Sequence, residues 1–136
     1  MYIPRFFSLQ ELVPRDIFEL YGERLWAYFD PNILRAQDFL RRHFGRCTVN
    51  NWRWGGNLCY RGYRPPSYTK CGSLSTHRMF KALDSSFEDA TAEEVRQYII
   101  ETDGLGWIVK RIEDDVNWVH IDTLDTGSKE LVIFKP

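Results

Sequence analysis

The stretch Trp107–Phe134, WIVKRIEDDVNWVHIDTLDTGSKELVIF, holds three clusters of β-branched and aromatic residues. Trp107–Ile112, Trp118–Asp122 and Glu130–Phe134 read as short strands, because such side chains suit a pleated, half-buried surface. Asp114-Asp115 and Asp125-Thr126-Gly127 supply turn chemistry between them. Three strands joined this closely predict a meander.

Upstream the pattern changes period. Thr91-Ala92-Glu93-Glu94 has the form of a capping box and opens a helix running to about Glu101. Residues 53–73 hold Gly55, Gly56, Gly62 and Gly72 together with Pro65-Pro66 and read as irregular. A loop of that length inside a compact domain is usually functional. Cys47–Trp52 suits another short strand. Pro31–Phe44 predicts the best helix, with Asp30 as N-cap, Pro31 at its first position and Gly45 as its stop. Its apolar face comprises Ile33, Leu34, Ala36, Phe39, Leu40 and Phe44. Ser8-Leu9-Gln10-Glu11 forms a further capping box that Pro14 soon interrupts. No repeat or linker divides the chain, so residues 1–136 read as one α+β domain.

Composition narrows the function classes. A chain of 136 residues with 43% hydrophobic and 15% aromatic content can fold around its own core. Eighteen basic against nineteen acidic residues give a net charge of −1, which argues against nucleic acid as a partner. No apolar run approaches the roughly 18 residues of a membrane span, so no membrane insertion is expected. Met1-Tyr2-Ile3-Pro4-Arg5 lacks the apolar core of a signal peptide. The expectation is a monomer made in the cytoplasm, with delivery elsewhere left to other means. Cys47, Cys59 and Cys71 are odd in number and contain no CxxC pair, which favours reduced thiols over a zinc knuckle. One disulfide plus a spare thiol is the alternative.

Of three histidines, His43 lies between Arg42 and Phe44 and reads as a helix-surface residue. His77 follows the long loop in Ser75-Thr76-His77, with Asp84 seven positions later, and His120 sits in the predicted strand Trp118–Asp122. Two imidazoles and a carboxylate make the three-ligand set of a catalytic zinc site, with a fourth position open to water. Zinc brings the pKa of bound water to about 7. A capping Asp with two satisfied histidines is the other reading, and spacing alone does not choose.

Ser75-Thr76-His77, Lys81-Ala82-Leu83-Asp84 and Trp118-Val119-His120-Ile121-Asp122 together resemble the zinc D-alanyl-D-alanine peptidase family. This family includes VanY-like carboxypeptidases and phage endolysins, and it shares a fold with the hedgehog signalling domain. Thr48–Trp52, Trp52–Gly56 and Arg61-Gly62-Tyr63-Arg64-Pro65 resemble the family's segments before the metal loop, so the likeness spans nearly the whole chain. It implies a small antiparallel sheet with helices packed on one side, and Zn2+ held by His77, Asp84 and His120. It also implies that Arg64, or else Arg61, receives a substrate carboxylate, for which a guanidinium fork is suited. Ser75 would orient the loop or touch substrate. Asp122, on the same strand face as His120, would accept from a ligand N–H or lie exposed at the strand end. Trp52, Trp54, Tyr60 and Tyr63 would line a groove or fill the core, with Trp52 assigned to core.

Two positions depart from the family. Asn117 stands where many members place a Glu or Asp three residues before the last ligand, and an amide has no titratable proton near neutral pH. Asp114 and Asp115 are the nearby acids, with turn formation as their plainer role. Phe80 stands where the family has glycine, at a position that points to φ > 0. The resemblance implies a peptidase acting on peptidoglycan peptides, released at host lysis or carried on a virion. A zinc-containing cell-wall or virion binding module without catalysis is the alternative, and Asn117 favours it.

Overall fold

The computed structural model describes residues 1–136. Helices α1 (Arg15–Tyr21), α2 (Pro31–Phe44) and α3 (Ala92–Glu101) are joined by short 3-10 turns and five strands. The strands are β1 (Cys47–Thr48), β2 (Ala82–Phe87), β3 (Arg111–Glu113), β4 (Val119–Asp122) and β5 (Val132–Phe134).

The cap signals do what their chemistry dictates. The Asp30 carboxylate accepts from the Asn32 N–H, Pro31 opens α2, and Gly45 at φ 86° ends it. Thr91 Oγ1 accepts from the Glu94 N–H and starts α3. The Ser8–Glu11 box also forms, but it closes only one 3-10 turn, after which Pro14 caps α1. The buried face of α2 comprises Ile33, Leu34, Ala36 and Leu40, while Phe39 is exposed and Gln37 and Asp38 are buried instead.

The sheet runs in the order β1-β2-β4-β3-β5. Every pairing is antiparallel except β3 with β5, which is parallel. The expected antiparallel meander is therefore corrected to a mixed sheet. β4 turns back to sit between β2 and β3, and residues 123–131 form a connection rather than a tight turn, bringing β5 in on the far side of β3.

Two strand expectations shrink. Asp103, Gly104, Leu105, Gly106 and Trp107 all have φ between 51° and 73°, so the chain makes a left-handed turn where the first strand of the meander was expected to begin. Gly104 leaves no room for a side chain against the Val109 carbonyl, and the strand starts only at Arg111. Likewise only Cys47 and Thr48 pair with β2, because the Asn50 N–H turns away to the Glu11 carbonyl.

Strand periodicity then separates two faces. Leu83, Ile112, Val119 and Ile121 are fully buried in the core, where α2 packs on β2 and α3 on β4. Asp84, Arg111, Glu113, His120 and Asp122 occupy the alternate positions. Trp52 belongs to the core, as its sequence context suggested, with its indole N–H donating to the Val13 carbonyl at 2.8 Å.

Candidate metal centre

His77 is fixed before any ion is considered. Ser75 caps the 3-10 turn Thr76–Met79, and its Oγ accepts from the His77 N–H. Phe80 ends that turn at φ 56°, in the left-handed region expected at this position. The strain is tolerated because the Phe80 ring stacks on Tyr63 at 3.9 Å and meets Phe29 edge-on at 5.0 Å. The preceding loop is tied down by Arg78, which donates to the carbonyls of Pro65, Tyr68, Cys71 and Gly72. His77 Nδ1 donates to the Gly62 carbonyl at 2.8 Å. Gly62 is confined to glycine by its close approach to the Leu12 backbone, so that acceptor cannot drift. The ring's other nitrogen, Nε2, faces Asp84 Oδ2 at 3.4 Å.

Asp84 and His120 stand opposite each other across the β2–β4 ladder. His120 Nδ1 is 2.8 Å from Asp84 Oδ1, and its Nε2 is 2.9 Å from Asp122 Oδ2. Asp122 is fully buried and also accepts from Arg111 Nε and Nη2, so it is an acceptor behind the ligand and not an exposed strand-end carboxylate. Each imidazole thus has one nitrogen anchored to an outer oxygen and the other turned toward Asp84. That outer anchoring fixes ring orientation and tautomer in metal sites.

The donor set fits a divalent ion. One ligand atom from each of His77, Asp84 and His120 lies within 4.8 Å of the others, and all three residues are buried. Zinc takes N and O ligands at about 2.0–2.2 Å, so donor atoms that lie up to 4.8 Å apart would draw together around one ion. In the metal-free group the charges are tightly coupled. Burial opposes ionisation of Asp84, but the His77 and His120 rings outweigh it and hold the carboxyl well below the usual range. Burial likewise opposes charge on His120, but Asp122 and Asp84 prevail and push it up to about 9.

A cavity of about 310 Å³ opens beside the three ligands and is walled by Arg64, Arg111, Glu113, Trp118 and Phe134, with Ser75 on its lining. Arg64 faces it with Nη2 on Asp84 Oδ2 at 3.0 Å and Nε on the Tyr60 carbonyl at 2.7 Å. Arg61 is not on that wall; its backbone carbonyl accepts from the Asp84 N–H and its guanidinium reaches Ser86. Asn117 and Asp115 are not brought to the ligands either. Asn117 lines a separate cavity with Ser85 and Arg96, and Asp115 is exposed and paired with Lys135 at 2.8 Å. Asp114 faces Arg96 at 3.8 Å. Tyr60 stacks on Tyr68, Trp54 is exposed, and His43 stacks on Tyr98 at the surface, as its sequence neighbours suggested.

Comparison with protein-family models, curated proteins and solved structures finds no match.

Sequence reasoning passed over Glu113. It lines the cavity without any side-chain hydrogen bond or ion pair, two positions from Arg111 on the same face of β3. Period-two alternation around the buried Ile112 would have turned both toward the ligand face, had the strand been started at Arg111 instead of Trp107. The three cysteines are free, and burial pushes the Cys47 thiol up to about 12.

Proposed function

We propose that this chain is a zinc-dependent metallopeptidase that hydrolyses peptide bonds of bacterial peptidoglycan, with a fold of the hedgehog/DD-peptidase type. The observation that carries this reading is the convergence of His77 Nε2, the Asp84 carboxylate and His120 Nδ1 beside a polar cavity. Zinc held by those three residues supplies Lewis acidity toward an amide carbonyl and acidifies water.

The chain's own residues account for the remaining work. The Gly62 carbonyl and Asp122 hold the two imidazoles in their ligand orientations. Arg64, exchanging its bond to Asp84 for a substrate carboxylate, orients the peptide. Glu113 is the one carboxylate on the cavity wall that is neither a proposed ligand nor paired. It takes the proton of the attacking water and returns it to the departing amine, in place of the acid that Asn117 cannot be. Trp118 and Phe134 give the cavity apolar walls. No helix is long and apolar enough to cross a membrane, in keeping with an enzyme released to the wall by lysis or carried on a virion.

The test starts with zinc per chain in the protein and in the double variant His77→Ala, His120→Ala. About one zinc per chain in the first and none in the second is expected, followed by cleavage of purified peptidoglycan. Glu113→Gln should keep its zinc and lose about 10²–10⁴-fold in kcat, while Asn117→Ala stays near the parent rate. A chain that takes no zinc would remove the mechanism. Zinc retained without cleavage of any wall preparation would favour the binding-module reading that Asn117 first suggested.

A further inference from the structure

A second charged cavity lies on the outer face of α2, where the chain's first residues cross it. It has a volume of about 150 Å³ and is lined by Arg5, Arg35 and Arg42 together with Tyr2, Phe6 and Asp38. None of these three guanidinium groups lies within 4.0 Å of a carboxylate oxygen, whereas seven other cationic or imidazole side chains of the chain do. Arg35 rests over the Tyr2 ring at 5.0 Å and Arg5 over Phe6 at 5.7 Å, so aromatic faces hold the cations without neutralising them.

The single carboxylate in the wall is already used. Asp38 is buried and accepts from the Tyr2 hydroxyl at 2.7 Å, the Arg5 N–H at 2.7 Å and the Phe6 N–H at 3.1 Å. Its work is to pin residues 2–6 against α2, and this brings Arg5 to the two helix arginines. The wall is left with three positive charges against one negative. A further cation, Arg41, also sits over Phe6, at 5.1 Å, and lacks a carboxylate partner. Planar guanidinium forks around a small space match the oxygens of a tetrahedral anion. The volume falls below the roughly 300–1,000 Å³ of a site for a whole drug-sized ligand, and therefore suits one ionic group.

We infer that the Arg5–Arg35–Arg42 cavity binds a phosphate-type oxyanion, at a site separate from the His77–Asp84–His120 centre. The charge balance of −1 concerns the whole chain and does not bear on this local excess.

The probe is inorganic phosphate, titrated into the full-length, metal-free chain and followed by backbone amide NMR. Saturable shifts at residues 2–6 and 35–42 are expected, weakening as salt is raised. The Arg42 side chain makes no hydrogen bond or ion pair, so Arg42→Gln leaves the fold intact and should weaken binding at least tenfold. Arg35→Gln with Arg42→Gln should abolish it. Shifts centred on Arg64 and Arg111 would place the anion at the metal centre and overturn the inference. Absence of saturation up to 10 mM, or affinity unchanged by Arg42→Gln, would overturn it equally. A long-chain polyphosphate run alongside tells a free anion site from one that reads a polymer: equal affinity per phosphate group marks the former, and a gain with chain length the latter.

Discussion

Protonated His120 donates from both ring nitrogens, to Asp84 at 2.8 Å and to Asp122 at 2.9 Å. Its folded pKa of about 9 exceeds the ordinary value of 6.5. The stability it contributes is therefore complete below about pH 6.5 and is lost as pH rises through 9. Asp84 and Asp122 are shifted the other way, and their contribution disappears as pH falls through their lowered values. The metal-free chain should accordingly be most resistant to urea in mildly acidic buffer and weaken toward pH 9, measured with chelator present. Zinc must displace the Nδ1 proton, so its apparent affinity should climb by up to about tenfold per pH unit between 6.5 and 9. A flat affinity profile would show that His120 is not a ligand.

Phe80 offers a second test at the same scale. A non-glycine residue in the left-handed region costs about 1–2 kcal/mol, yet its ring covers Tyr63 and Phe29. Removing the ring should destabilise the fold either way. Phe80→Gly, which also relieves the backbone, should nonetheless be about 1 kcal/mol more stable than Phe80→Ala by denaturant unfolding. Such residues show how legibility depends on rarity. With three histidines in the chain, the pairing of His77 and His120 with a spaced Asp84 stood out. Glu113 is one of nineteen acids and carries no local signature; only strand register distinguishes it from Asp114 and Asp115.

Among the elements, the helices were readable because their ends are chemically marked. Asp30, Pro31 and Gly45 bound α2 at the residues expected, and Thr91 opens α3. The strands were less so, since their extents follow from tertiary pairing more than from propensity. Trp107, Ile108 and Val109 look like strand residues, yet the requirement to reverse the chain after α3 places Trp107 in a left-handed turn. Likewise β5 could not be assigned a direction from sequence, because nothing local distinguishes a return hairpin from a crossing to the far edge. The segment 53–73 was legible as irregular, but not the device that orders it. Arg78 gathers four loop carbonyls and sits next to His77 in the chain. Arg78→Ala should make residues 65–75 cleavable by limited proteolysis and lower zinc affinity, while global unfolding shifts little. Protection equal to the parent would mean that the loop is held by its own prolines and the Tyr60–Tyr68 stack.

For the whole molecule, the α+β class was legible from the order of elements, whereas the mixed sheet was not. Its strand order has a consequence in time. β2 and β4 are far apart in the chain but neighbours in the sheet, and the three candidate ligands come from a 3-10 turn, β2 and β4. The site cannot exist until β4 has paired with β2. An ion that needs all three ligands finds no purchase on the earlier, partly ordered chain, so it has little to offer the folding transition state. In stopped-flow experiments zinc should leave the refolding rate almost unchanged and act almost entirely by slowing unfolding. The ion then behaves as a latch, dropped after the door has closed.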